Sequence, residues 1–199
     1  MGIKVLFLYP NTFGMNMLPP AIATFSAILK QRGHMVQVFD TTYYSTDYGN
    51  NSDGTKEEGL NVVPFSEELK KRGLAPKNTK WQDDLKKQIN DYKPDLIALS
   101  ATEDMWELGV EILEELREYK IKKKVPVLAG GVFPTFAPDI CIKNDLIDLV
   151  CVGEGENALI DLCEKIEKKE DYNHVTNLWV KKNGEIIRKN SITKPVDIN

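Results

Sequence analysis

IKVLFLYPNTFG (residues 3–14) is the stretch that decides the fold. Its first seven residues form a nearly continuous apolar run rich in β-formers, the pattern of a strand buried on both faces of a parallel sheet. The run ends at Pro10, and Asn11, Thr12 and Gly14 then open a loop at the strand's carboxyl end. MVQVF (35–39), DLIALS (95–100), VPVLA (125–129) and LIDLVCV (146–152) read as four further strands. Between the strands lie helical periods: Ile22, Phe25 and Leu29, then Trp81, Leu85 and Ile89, then Leu108, Ile112 and Leu116. A weaker helix covers 134–143, and a clear one carries Ala158, Leu159, Leu162, Cys163 and Ile166 on one face. Alternation of this kind predicts an α/β fold: a flavodoxin-like (Rossmann-type) doubly wound five-stranded parallel sheet of order 2-1-3-4-5.

Two stretches stand outside the alternation. Residues 41–80 contain the turn-rich YGNNSDG (48–54) and then a short helix capped by Ser66, and a connection of this length is expected to be a mobile flap or a docking surface. Residues 177–189 read as a β-hairpin turning at Asn183-Gly184. The predicted organisation is a main domain over 1–170, then a small C-terminal β-hairpin appendage and linker over 171–199.

Bulk properties narrow the function. A chain of 199 residues with formal net charge -4 lacks the clustered basic surface that a phosphate backbone requires, so no nucleic-acid partner is expected. The basic run from Lys120 to Lys124 reads instead as a helix end, where its cations complement the dipole. No apolar stretch is long enough to span a bilayer, and no membrane partner is expected. Cys141, Cys151 and Cys163 suit neither a disulfide framework nor a CxxC metal site, which points to a cytoplasmic protein. Aromatics such as Trp81, Trp106, Tyr43, Tyr44 and Tyr48 read as core more readily than as partner contacts.

In such a sheet ligands bind on the loops after the strands, near the reversal of strand order. The first loop has neither the Gly-Lys-Ser/Thr ending of a phosphate-binding loop nor a dinucleotide fingerprint. After the third strand come Ser100, Ala101 and Thr102, with Glu103 and Asp104 opening a helix, a pattern that capping alone also explains. Gly130, Gly131, Val132, Phe133, Pro134 and Thr135 follow the fourth, offering either a plain turn or close approach of a ligand to the backbone. Gly153, Glu154, Gly155 and Glu156 follow the fifth, where two carboxylates either favour the helix dipole or accept hydrogen bonds from a large ligand. No single loop is specific.

The order of KVLFLYPN (4–11), PP (19–20), GH (33–34), PDLIALSAT (94–102), AGGVFPT (129–135) and VGEGE (152–156) resembles the N-terminal cobalamin (B12)-binding domain of B12-dependent radical SAM proteins. The resemblance implies a domain that holds the corrin over the strand ends and threads its nucleotide tail between the sheet and a helix. It also implies a parent enzyme, of methyl transfer or related radical chemistry, whose radical SAM domain with S-adenosylmethionine and a [4Fe-4S] cluster is absent from this chain. By that carry-over Ser100 and Thr102 line the tail channel, and Gly130, Gly131, Val132, Phe133, Pro134 and Thr135 lie beside it. Gly153, Glu154, Gly155 and Glu156 border the nucleotide end, and Asn11 and Thr12 face the corrin.

Two departures from the family pattern stand out. Phe133 occupies a position where members often carry His, and the first loop has no His to ligate cobalt from below. His34, at the entry to the second strand, and His174, in the appendage, are placed away from the strand ends, so a base-off cobalamin without a histidine ligand is expected. Gly131 is expected to be needed for the tail, with valine removing binding and sparing the fold. The competing reading is a small-ligand or nucleotide-sugar enzyme with Glu154 or Glu156 as general base. A receiver domain is disfavoured because Asn11 and Ser100 stand where it needs acids.

Overall fold

The computed structural model describes residues 2–12, 19–46, 68, 71–72 and 77–193. The 48–54 loop and the helix expected at Ser66 lie outside them. Parallel strands β1 (Lys4–Tyr9), β2 (Met35–Asp40), β3 (Leu96–Ser100), β4 (Val127–Gly130) and β5 (Leu149–Cys151) lie in the order β2-β1-β3-β4-β5. This is the winding expected of right-handed crossovers, with the reversal beside β1.

The unbroken apolar runs are explained by a core on each face. Val5 and Phe7 of β1, Leu96 and Ala98 of β3, Leu128 of β4 and Leu149 and Cys151 of β5 enter one cluster. Leu6 and Leu8, Ile97 and Leu99, Val127 and Ala129, and Val150 enter the other. Successive side chains point to opposite faces, so a strand covered on both sides must be apolar throughout.

Helices α1 (Pro20–Gln31) and α7 (Glu156–Lys168) cover the first face through Ile22 and Leu29 and through Ala158, Leu159, Leu162 and Cys163. Helices α2 (Trp81–Tyr92) and α3 (Trp106–Glu115) cover the second through Trp81, Leu85 and Ile89 and through Leu108 and Ile112. Pro20 at the first helical position of α1 has no N–H to leave unpaired, which suits a helix start.

Several boundaries differ from expectation. The lysine run ends a separate short helix, α4 (Arg117–Lys123), with Lys124 left-handed at its C-cap. The weak helix at 134–143 is two short pieces, α5 (Val132–Phe136) and α6 (Pro138–Cys141). Pro138 explains the break, since it disfavours helical geometry at Ala137 and lacks an N–H. The fifth strand is shorter than its apolar run: Leu146 and Ile147 are buried, but in a turn whose amides donate to Asn144, to Oδ1 at 2.9 Å and to the carbonyl at 3.1 Å.

The hairpin is β6 (Leu178–Lys182) and β7 (Glu185–Lys189), turning at left-handed Asn183 and Gly184 as expected. It is not peripheral. β6 pairs antiparallel with β5, so the sheet has seven strands and β5 is not an edge. Leu178 and Val180 enter the core on the α1 and α7 face, which fastens the hairpin. Lys181, on the opposite face, is buried, its ammonium donating to the carbonyls of Ile142 (2.9 Å) and Asn144. No helix among the described residues is long and apolar enough to cross a membrane.

Candidate functional site

A groove of about 380 Å³ opens at the carboxyl ends of the strands, on the face covered by α1 and α7. Phe7, Ala98 and Leu128 are register partners across β1, β3 and β4, and with Cys151 they form its floor. Ala98, between two bulky neighbours, leaves the space. Ala21 and Phe25 of α1 and Leu159 of α7 make the walls, with the Phe7 and Phe25 rings stacked at 6.2 Å between centroids. Ser100, Gly130, Gly131, Val132, Thr135, Phe136 and residues 153–156 make the rim.

The rim is fixed by its own hydrogen bonds. The Thr135 hydroxyl donates to the Gly131 carbonyl (2.8 Å) and accepts from the Gly153 amide (3.2 Å), tying the loop after β4 to the loop after β5. Asn177, buried and left-handed, donates from Nδ2 to the Glu154 carbonyl at 2.7 Å and accepts at Oδ1 from the Thr193 amide at 2.7 Å. Asparagine tolerates this backbone better than most residues, so it can hold the turn and clamp the acidic loop together. Asn177→Ala should lower stability by about 1–3 kcal/mol, because two partly buried bonds are lost. Chemical denaturation measures the change, and an unaltered midpoint would show that the clamp is idle.

The predicted residues divide between the groove and elsewhere. Ser100, Gly130, Gly131, Val132, Thr135, Gly153, Glu154, Gly155 and Glu156 line it. Thr102 is exposed, Pro134 is buried, and Phe133 packs at 5.2 Å on the Trp106 ring, on the other face of the sheet. Asn11 and Thr12 are buried at the β1 end. Asn11 Nδ2 donates to the Thr42 hydroxyl at 2.8 Å, while its amide and carbonyl both bond Thr41 Oγ1 at 2.8 Å, which ties the first loop to the end of β2. Floor and wall residues escaped sequence reading because nothing separates them from ordinary core. The signal that would have found them is the period of two that puts Leu128 and Gly130 on one face.

The chemistry of the groove is quiet. Burial, with a smaller push from Glu156, raises the Cys151 thiol to about 12, so it stays neutral and is a poor nucleophile or metal ligand near pH 7. Among the described residues no histidine, lysine or arginine lines the groove. Glu156, at the first position of α7, has a buried Oε2 with no hydrogen-bond partner among the described residues. Among the described residues no His/Cys/Asp/Glu cluster is arranged to hold a metal ion. His34 is buried at the amino end of β2, where its Nδ1 accepts from the Ile3 amide at 3.2 Å, and His174 is exposed.

Fold and groove together define a flavodoxin-like ligand-binding domain. The family model described as "B12 binding domain" matches residues 66–162, a stretch that contains β3, β4, β5 and their groove-lining loops. A curated relative, 4'-phospho-dehydrooxetanocin synthase of Priestia megaterium, is 28% identical over 103 residues, half of this chain and 14% of that protein. The radical S-adenosylmethionine methyltransferase TsrM from Kitasatospora setae, solved with cobalamin and a [4Fe-4S] cluster, superposes with TM-score 0.68 at 18% identity. The match covers all of this chain and 30% of TsrM. The cobalamin-dependent S-adenosylmethionine radical enzyme OxsB with aqua-cobalamin superposes with TM-score 0.67 at 21% identity, covering 98% of this chain and 23% of OxsB. Residues 66–162 are thus similar to B12-binding domains, and they include most of the groove-lining loops. The chain spans less than a third of each of these larger proteins.

Proposed function

We propose that this protein holds cobalamin base-off, with the nucleotide tail in the groove between the sheet and helices α1 and α7 and the corrin over the strand ends. The observation that carries the reading is the groove itself, an apolar slot whose rim is lined by the glycine-rich and acidic loops. Gly130 leaves it open: a Cβ built there meets only Cys151 Cβ, at 3.7 Å. Ser100, Thr135 and Gly153 to Glu156 line the rim of the slot, and Phe25 offers an aromatic wall to a planar base. The cofactor supplies the organometallic chemistry, while this chain binds, orients and shields it.

In this reading the domain serves a radical SAM module that binds S-adenosylmethionine and a [4Fe-4S] cluster, in methyl transfer or related radical chemistry. The size of TsrM and OxsB relative to the matched part supports a larger assembly. A cytoplasmic setting fits three free, buried cysteines. Titration with hydroxocobalamin, followed by absorbance, tests the core of the proposal: saturable binding with a base-off spectrum is expected. Saturable binding with a base-on spectrum would remove the tail from the groove.

The lower face of cobalt is expected to lack a histidine. His34 lies at the opposite end of the sheet, and His174 follows α7 on the hairpin side. Electron paramagnetic resonance of the Co(II) form should show no nitrogen superhyperfine splitting from a lower ligand. A nitrogen triplet that vanishes in His34→Ala or His174→Ala would overturn this.

A further inference from the structure

Phe7, Ala98 and Leu128 stand side by side on β1, β3 and β4 along the groove floor, and Ala98 is the one small side chain in that row. The row lies two residues before Ser100 and Gly130, which end β3 and β4 at the rim, so it sits about 6–7 Å further in. Phe25 stacks on Phe7 and faces the same floor from α1. Among the described residues the hydroxyls and carboxylates of the groove belong to its rim. The backbones of Ala98 and Leu128 are committed to ladders with strands on both sides. The Cys151 thiol donates to the Glu154 carbonyl at 3.9 Å, and Glu156 Oε2 is shut away from solvent. A ring that reaches the Ala98 row therefore meets methyl, aromatic and aliphatic surface, with no hydrogen-bonding group beside it.

We infer that Ala98 sets which tail the groove accepts: its small side chain opens room on the floor for the six-membered ring of an apolar base, and the lining around it rejects a base that carries an exocyclic amine or hydroxyl. A dimethylbenzimidazole brings two methyl groups to Phe7, Phe25 and Leu128. An adenine of similar shape brings an amine and ring nitrogens, which give up water on entry and find no partner. Apolar pockets discriminate against an added polar group on the order of tenfold to a hundredfold, and Ala98 places this groove in that class. The inference rests on the proposed seating of the tail in this groove.

The test compares three corrinoids by equilibrium dialysis, with corrin absorbance as the readout: cobalamin, an adenine-tailed cobamide, and cobinamide, which has no tail. Each affinity is corrected for the free corrinoid's own base-on to base-off equilibrium, measured by acid titration. The protein should bind cobalamin about tenfold or more tightly than the adenine-tailed form. Ala98→Ser puts a hydroxyl on the floor with little added volume, and should narrow that ratio by roughly threefold or more, chiefly by tightening the adenine-tailed form. Ala98→Leu fills the space and should weaken cobalamin by about tenfold or more. Circular dichroism and thermal melting check each fold, and the serine variant carries the test if the leucine variant misfolds. Equal corrected affinities for the two tailed forms, a ratio unchanged in Ala98→Ser, or full cobalamin affinity in a folded Ala98→Leu protein overturns the selector, while weaker binding of cobinamide keeps the tail in the groove. Cobinamide binding as tightly as both tailed forms overturns the seating of the tail, and the selector with it.

Discussion

Gly130→Val should lose most of the affinity for cobalamin while the fold and its stability stay as they are. Gly130 ends β4, two residues beyond Leu128, so its Cβ would lie on the groove side of the sheet. Its backbone is not left-handed, and a built Cβ meets only Cys151 Cβ at 3.7 Å, an ordinary contact. A β-branched residue at a strand end costs little in the free protein. The two added methyl groups would occupy space that the ligand needs, and overpacking of this kind costs about 1–3 kcal/mol, which is roughly five- to 150-fold in Kd. Absorbance titration reads the affinity, and circular dichroism with thermal melting reads the fold. Normal binding by a folded Gly130→Val protein would place the cofactor elsewhere.

Gly131→Val should instead destabilise the protein by about 3 kcal/mol or more, whether or not cobalamin is present. Gly131 has φ 104 and ψ -167, a region open to glycine and to almost no other residue. Its Cβ would stand 2.8 Å from the Ala101 carbonyl oxygen and 3.1 Å from the Ala101 amide nitrogen, both backbone atoms that cannot move aside cheaply. This revises the expectation that valine there would remove binding and spare the fold. The close approach that Gly131 permits is between two loops of the protein itself. Urea denaturation of Gly131→Val and Gly131→Ala measures the effect, and a loss below about 0.5 kcal/mol in both would show the loop is more yielding than its geometry implies. Adjacent glycines thus have separable roles, one keeping the groove open and the other allowing the turn.

Legibility differed between these levels for physical reasons. The doubly wound order could be read because buried strands must be apolar on both faces, as Leu6 and Phe7 show by entering opposite cores. Boundaries failed where burial and hydrogen bonding part company: Leu146 and Ile147 are as buried as a strand but bonded as a turn. Lys181 was unreadable for a related reason, since a lysine in an alternating strand ordinarily points to water, and here two carbonyls receive it.

For the site, sequence by itself determined which loops matter, because the topology of an α/β sheet sends the loops after its parallel strands to one end and glycines, hydroxyls and acids sit there. It also determined that no imidazole is available in the first loop. Tertiary structure alone decided which residues of those loops share a cavity. The Phe133 ring turns to Trp106 and Asn11 turns to Thr42, while Ala98, Phe25 and Leu159, indistinguishable from core in the chain, become the lining. The direction of a side chain at a strand end depends on what packs against it from distant segments, and that information is absent from local sequence.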